Sequence, residues 1–367
     1  MSTETLDDEY SFYVVEQHLI RMAKQESTIE VAGRQIKLSN LDKVLYPKVG
    51  FTKGQVVDYM VRIAPVLLPH LAGRPLTLKR YPEGVEGLFF YEKNCPKHKP
   101  DWVKTAKVWS EGNNRFMYYC VADQLPTLVW LANLADLELH TSLSVAPDMH
   151  KPTMIAFDLD PGPPASIVQC CQVGLWIKGI FEQLGLRAFA KTSGSKGLQV
   201  YVPLNTPVTY EETKPFAKAV ARLLEDRSPD QVVSDMKKSL RANKVFVDWS
   251  QNDEHKTTVC VYSLRAKERP TVSTPVTWKE VEACLKKADP ELLVFTSDQV
   301  LKRVEKMGDL FEPVIKLKQK LPPMEALEEL AAEAMPEAIS AKTAKVQSIS
   351  SVAKPRKSTQ RRPAKKA

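Results

Sequence analysis

The sequence predicts an α/β (α+β) fold in which helices are layered on a central sheet, and three observations lead there. Strand-like and helix-like segments are mixed along residues 28 to about 318, as layered sheet-and-helix architectures require. Hydrophobic residues make up 43% of the chain and charged residues 26%, the balance of a protein with a packed core. A length of 367 residues is enough for one large domain or two modest ones.

The elements follow in order. Residues 1–27 form an N-terminal extension whose SFYVVEQHLIRM stretch predicts a short helix. From Thr28, TIEVAGRQIKL alternates apolar and polar residues about a Gly turn and predicts a β-hairpin. Thr52 is an N-cap candidate before KGQVVDYMVRI, whose Val56, Val57, Met60 and Ile63 share one helical face; Pro65 should end or kink that helix. PTLVWLANLADLEL predicts a second helix, mostly core. MIAFDLD then reads as a strand, IVQCCQVGLWIKGIFEQLG as a helix, and RAFAKT and LQVYVPL as strands around SGSKG. KPFAKAVARLLEDR is a further helix, and KVFVDWS and TTVCVYSL are strands. Residues 319–367 change character: an acidic helical run, MEALEELAAEAM, precedes a Lys/Arg tail without Asp, Glu or aromatic residues, which predicts disorder. No internal repeat is visible.

Lys and Arg total 52 against 44 Asp and Glu, a formal net charge of +8 that suits a polyanionic partner and equally suits a basic soluble protein. The six cysteines show neither metal-ligand spacing nor a disulfide framework, which points to a reducing compartment; Cys95 and His98 form a C-x-x-H step with no second half, read as a surface loop. The N-terminus is acidic and lacks a secretory pattern, and no window approaches the ~20 apolar residues of a bilayer span. A cytoplasmic, nucleoid-associated protein without a membrane partner is expected.

Chemistry concentrates in three places. In MIAFDLDP, Asp158 and Asp160 project from one face of a strand, because side-chain direction repeats every two residues. Two carboxylates that close call for a cation, although a strand end with two solvated aspartates gives the same text. In KVFVDWS, Phe246 and Asp248 share a face, adding a third carboxylate that would let the set hold two metals for in-line phosphoryl transfer. The loop TSGSKGLQVY, with two glycines, small hydroxyl residues and Lys196, reads as a turn whose N–H groups bind phosphate, or as a plain hairpin; it is not a Walker loop.

FDLDPG, TSGSKGL, KSLRANKVFVDWSQN, KTTVCVYSLR and RPTVSTPVTW, preceded by LSNLDKVLYP, GFTKG, GRPLTLKRYPEGV, FFYEKN and LVWLANLADLELH, resemble in order and spacing the polymerase domain of bacterial DNA ligase D. The likeness runs from about residue 28 to about residue 315. It implies an archaeo-eukaryotic primase fold, with an RRM-like catalytic sheet packed against an N-terminal α/β subdomain. It further implies template-dependent nucleotidyl transfer at DNA ends and gapped duplexes in non-homologous end joining, with NTP or dNTP and two Mn²⁺ or Mg²⁺ ions. Asp158, Asp160 and Asp248 match the family's catalytic, metal-binding carboxylates. His140, Ser193, Lys196, Lys256 and Arg265 match nucleotide-binding residues. Asn40, Lys43 and Lys53 match positions that grip a downstream 5′-phosphate, and Lys53 opens a helix whose N–H groups would favour an anion. Phe90 and Tyr91 match an aromatic pair that contacts template bases. Gln199 and Val261 depart from the usual His and Pro; Gln at a nucleotide-binding position removes the charge an imidazolium would offer a triphosphate. No K-x-D-G ligase motif occurs, so sealing would fall to a separate DNA ligase acting with Ku. Two rival readings exist: a catalytically weak DNA-end-binding scaffold of the same fold, and a D-x-D glycosyltransferase, which leaves the phosphate loop and the ordered motifs unexplained.

Overall fold

The structure, a computed structural model, describes residues 27–333. They divide after Leu321 into two units, the second represented by a single described helix. The helix expected near the N-terminus and the basic tail lie outside the described residues.

The chain opens with the hairpin β1 (Ser27–Val31) and β2 (Arg34–Leu38), turned by Ala32 and Gly33 in left-handed conformation, as the Gly turn predicts. A small ribbon, β3 (Val44–Tyr46) and β4 (Phe51–Thr52), leads into α1 (Lys53–Leu71). Then come β5 (Leu76–Arg80), β6 (Phe90–Glu92), the hairpin β7 (Thr105–Ser110) and β8 (Arg115–Cys120), α2 (Leu125–Asn133) and β9 (Asp136–Thr141). The second half runs β10 (Met154–Pro161), α3 (Ile167–Gln183), β11 (Phe189–Thr192), β12 (Leu198–Pro203), α4 (Tyr210–Arg227), β13 (Val232–Val233) and β14 (Val245–Asp248). Short strands β15 (Thr258–Val259), β16 (Leu264–Ala266), β17 (Pro270–Val272) and β18 (Pro275–Val276) precede α5 (Trp278–Lys287), α6 (Ser297–Met307) and α7 (Glu312–Lys316); α8 (Met324–Glu333) is the separate acidic helix.

Two six-stranded sheets frame the site. The first has the order β13-β14-β10-β12-β11-β18, and the second β15-β9-β5-β8-β7 with β6 added on β5. In the first, Phe157, Leu159, Leu198 and Val200 face helix α3, where the ring of Phe181 lies 5.8 Å from that of Phe157 and Gly174 leaves room for Leu198 and Leu159. Strand alternation therefore turns Asp158, Asp160, Gln199 and Lys191 to the other face. In the second sheet Leu137 and Leu139 of β9 join the buried core with α1, while Glu138 and His140 alternate to the opposite side.

Three expectations are corrected. PTLVWLANLADLEL is not one helix: α2 stops at Asn133, Ala135 adopts a left-handed φ of 57°, and Asp136–Thr141 is a strand that carries His140. Helix α1 does not end at Pro65 but runs on through Pro65 and Pro69; both prolines are exposed, one turn apart, while Ile63, Ala64, Leu67 and Leu71 keep the inward stripe buried. Cys95 and Cys120 form a disulfide. The segment after β6 runs beside β8, with Cys95 N–H donating to the Tyr118 carbonyl, and the two Cα atoms come 4.8 Å apart, a closeness that a 25-residue separation does not reveal. The other four cysteines are free and buried.

Candidate active site

Strand pairing brings the carboxylates to one face. Asp158 is the antiparallel partner of Asp248, and Asp160 lies two residues further on. Burial, together with the charge of Asp160, pushes the Asp158 carboxyl up to about 7, against a hydrogen bond from Gln199 that lowers it. The expected three-way convergence is incomplete. Asp248 ends β14 and caps the turn that follows: its Oδ1 accepts from Ser250 N–H (2.9 Å) and Ser250 Oγ (2.6 Å), and its Oδ2 from Gln251 Nε2 (2.8 Å). Among the described residues no group of three or more His, Cys, Asp or Glu side chains is gathered closely enough to hold a metal ion.

Between the two sheets opens a cavity of about 490 Å³. Asp158, Asp160 and Gln199 line it from the first sheet, His140, Thr77 and Tyr91 from the second, and Ser193, Lys196, Lys256 and Arg265 complete its wall. Eight of the sequence-predicted residues, besides Tyr91, are thereby brought together; Asp248, Phe90, Asn40, Lys43 and Lys53 do not line it.

The SGSKG loop, expected to bind phosphate, is more self-satisfied than its glycines suggest. Ser193 Oγ accepts from the N–H groups of Ser195 (3.2 Å) and Gly197 (3.1 Å), so two of the expected free donors are already used. Gly194, at φ 66°, would place a Cβ 2.6 Å from the Val272 backbone, and Gly197 one 2.3 Å from the Leu159 carbonyl; only glycine fits either approach. Lys196 projects from this loop and is exposed. Arg265 donates to the Ser193 carbonyl, and Lys256 Nζ donates to Ser250 Oγ (2.5 Å).

Glu138 organises the opposite wall. Its carboxylate lies 3.1 Å from His140 Nε2, 3.3 Å from Arg265 Nε and 3.5 Å from Lys79 Nζ, and it accepts from Tyr81 OH and Ala266 N–H. Burial alone would push this carboxyl up; the His140 hydrogen bond and the charges of Arg265 and Lys79 overcome it and hold Glu138 well below the usual carboxylate range. Burial pushes His140 down, against the hydrogen bond and charge of Glu138, which raise it, and so favours the neutral ring at neutral pH. An ionised carboxylate only accepts, which puts the His140 proton on Nε2 and leaves Nδ1 an acceptor.

Asn40, Lys43 and Lys53 form a separate cluster at the start of α1. Asn40 is left-handed (φ 52°) and its carbonyl accepts from Lys43 N–H; the Lys43 carbonyl accepts from Lys53 N–H. Burial, then the charges of Lys43 and Arg80, bring the Lys53 ammonium down to about 8. The anion-ready helix start is corrected: the N–H groups of Lys53, Gly54 and Gln55 donate to Lys43 O, Leu41 O and Thr52 Oγ1, so side chains alone remain to grip a phosphate here. Phe90 and Tyr91 are exposed and, as neighbours on β6, point to opposite faces. Tyr91 packs edge-on 6.1 Å from His140, whereas Phe90 lies under Arg80, whose guanidinium is 5.1 Å from its ring centre.

Several contributors escaped sequence reading. Glu138 shows only as the E of DLELH. Lys191, in AKTSGSKG, is fully buried with its ammonium pushed down to about 7 by burial. Asn252 of WSQN continues the ladder where β14 ends: Oδ1 accepts from Ala156 N–H (2.9 Å) and Nδ2 donates to the Ala156 carbonyl (2.8 Å), bracing β10 two residues before Asp158. Thr77, the register partner of His140, has a buried hydroxyl without a protein partner in the cavity wall.

Three comparisons bear on this geometry. Residues 52–311 match the family model described as LigD, primase-polymerase domain. The multifunctional non-homologous end joining protein LigD of Mycolicibacterium smegmatis is 41% identical over 282 residues, 76% of this chain and 36% of the relative. Its Mycobacterium tuberculosis H37Rv counterpart is 40% identical over 76% of this chain and 37% of its own length, and the bifunctional LigD of Bacillus subtilis 32% over 75% and 43%. The chain thus spans well under half the length of these curated relatives. A solved structure, the polymerase domain from M. tuberculosis ligase D in complex with DNA, superposes with a TM-score of 0.71 at 40% identity, covering 77% of this chain and 99% of that one. The mixed α/β architecture is therefore the archaeo-eukaryotic primase fold.

Proposed function

This chain belongs to the LigD primase-polymerase family, and on that premise we propose that it is a DNA-directed nucleotidyltransferase that fills gaps and extends ends in non-homologous end joining. The observation that carries this reading is the cavity between the sheets, with Asp158 and Asp160 on one wall and Lys196, Lys256 and Arg265 on another. Hard oxygen donors fit Mg²⁺ or Mn²⁺, and burial together with the neighbouring Asp160 pushes the Asp158 carboxyl up, a cost that a bound cation would relieve. Asp158 and Asp160 would hold the ions, with Asp248 joining once it releases Ser250 or Gln251. Bound there, the pair of ions would activate a primer 3′-hydroxyl and neutralise charge on the transferring phosphoryl group.

The chain's own residues do the rest. Lys196, Lys256 and Arg265 offer three cations to a triphosphate, Arg265 being pre-set by Glu138 and the Ser193 carbonyl. Neutral His140 and the unpartnered Thr77 hydroxyl face the same space and suit a sugar, consistent with a preference for ribonucleotides. Tyr91 borders it and can stack on a base. Gln199 serves the carboxylates rather than the phosphates, because its amide is spent on Lys191, Tyr201 and Asp158. Lys43 and Lys53 would bind a downstream 5′-phosphate. Primase activity, and work beside Ku and a separate ligase, complete the reading.

Primer extension on a gapped duplex with a 5′-phosphate, comparing ribo- and deoxyribonucleotides with Mn²⁺ and Mg²⁺, tests it. Template-directed addition is expected. DNA binding without addition under every condition would leave the end-binding scaffold, the reading that the internally satisfied Asp248 favours.

A further inference from the structure

Lys191 is one of the largest fully buried side chains of the protein, and its three hydrogen bonds all go to neutral groups. Nζ lies 2.5 Å from Gln199 Oε1, 3.0 Å from the Val259 carbonyl and 2.7 Å from Ser273 Oγ. Ser273 gives its own proton to the Thr192 carbonyl, so toward Lys191 it accepts. In its charged form Nζ carries three protons and no lone pair, so each of these three contacts is a donation. The Gln199 amide is therefore not free to flip: Oε1 must face Lys191, where the Tyr201 hydroxyl also donates to it at 3.3 Å, which turns the NH₂ end toward Asp158, its antiparallel cross-strand partner on the same face of the sheet. The other arm reaches the second sheet, since Val259 is the cross-strand partner of His140.

We propose that Lys191 is a positioning residue for nucleotidyl transfer: through the Gln199 amide it fixes the Asp158 carboxylate, and through the Val259 carbonyl it fixes the strand pair that carries His140. One buried ammonium thereby sets the spacing between the carboxylate wall and the nucleotide wall. Packing alone does not explain it, because an apolar side chain of similar volume would fill the space without the desolvation penalty that depresses the Lys191 ammonium.

The inference rests on the proposed activity, so its test has one arm that needs no activity. In the full chain, Lys191→Met removes the donors and keeps the volume. Hydrogen exchange of the Gln199 side-chain NH₂ protons, identified by their loss in Gln199→Leu, should accelerate in Lys191→Met at an unchanged thermal transition. On gapped DNA, kcat should fall about ten- to a hundredfold, the usual cost of losing a group that orients a metal ligand, with a smaller change in nucleotide KM. The double variant should lose no more than the worse single one, because both break one link. Unchanged exchange and kcat in Lys191→Met, or losses that multiply in the double variant, would overturn the proposal. Should Lys191→Met fail to fold, Gln199→Leu decides: it cuts only the arm to Asp158, so a folded Gln199→Leu with undiminished kcat also overturns it. A wild-type chain that extends no primer refutes the functional reading, while amide exchange still decides the link.

Discussion

Glu138, on β9 of one sheet, and Asp158, on β10 of the other, are both carboxylates, and they meet opposite fates. Around Glu138 the structure gathers His140, Arg265 and Lys79, and the carboxyl is held well below its usual range. Asp158 has Asp160 beside it and receives a neutral amide from Gln199, and its carboxyl is pushed up to about 7. Burial acts upward on both, so burial does not separate them; the sign of the neighbouring charge does. The satisfied carboxylate builds the wall, and the unsatisfied one is left with a demand that a ligand can meet.

The largest effect should come from breaking the unsatisfied side. Asp158→Ala should reduce primer extension at least about a thousandfold, the upper end for losing a group that stabilises transition-state charge, while affinity for gapped DNA stays within experimental error. Extension and binding measured on one preparation check this, and a parallel loss of both would assign Asp158 to DNA binding instead.

Breaking the satisfied side should act first on stability. Glu138→Ala leaves Arg265 and Lys79 facing a void and should cost about 3–5 kcal/mol, readable by denaturant unfolding at neutral pH. The sign with pH follows from the lowered carboxyl. Glu138 contributes stability that is fully present above its unfolded value of 4.5 and is lost as pH falls below it toward the folded value. The gap between wild type and Glu138→Gln should therefore be constant from pH 5 upward and narrow below about pH 4.5. A gap that widens on acidification would contradict the charge assignment.

The Lys43 and Lys53 cluster sharpens the contrast from the cationic side, where Lys43 is held by an exposed ion pair with Glu83 (3.2 Å) and Lys53 Nζ by the neutral Ser39 hydroxyl (3.4 Å). Lys43→Ala or Lys53→Ala should weaken binding to gapped DNA about tenfold when the downstream strand carries a 5′-phosphate, one charge-assisted hydrogen bond's worth, and hardly at all with a 5′-hydroxyl. Equal weakening for both ends would make these lysines general backbone contacts. The smallest effect should follow truncation from Ala341, outside the described residues. Removing that Lys/Arg segment should flatten the salt dependence of DNA binding by roughly one unit of slope for each phosphate it neutralises, without changing nucleotide selection.

Local periodicity and covalent constraint made much of this protein legible in its sequence. Alternation along MIAFDLD and KVFVDWS put Asp158, Asp160 and Asp248 on shared faces, and the glycines of SGSKG announced a tight turn, because strand period and positive φ are properties of a few consecutive residues. Pairing was beyond its reach. Whether Asp248 points at a cation or caps its own turn, which partners hold Glu138, and that Lys191 spans two sheets through Gln199 and Val259 depend on segments far apart in the chain meeting in one register. The same limit explains the missed disulfide between Cys95 and Cys120 and the misread LADLEL. An apolar run suits a buried strand as well as a helix, and only the presence of β5 alongside, with Lys79 N–H donating to Asp136, decides between them.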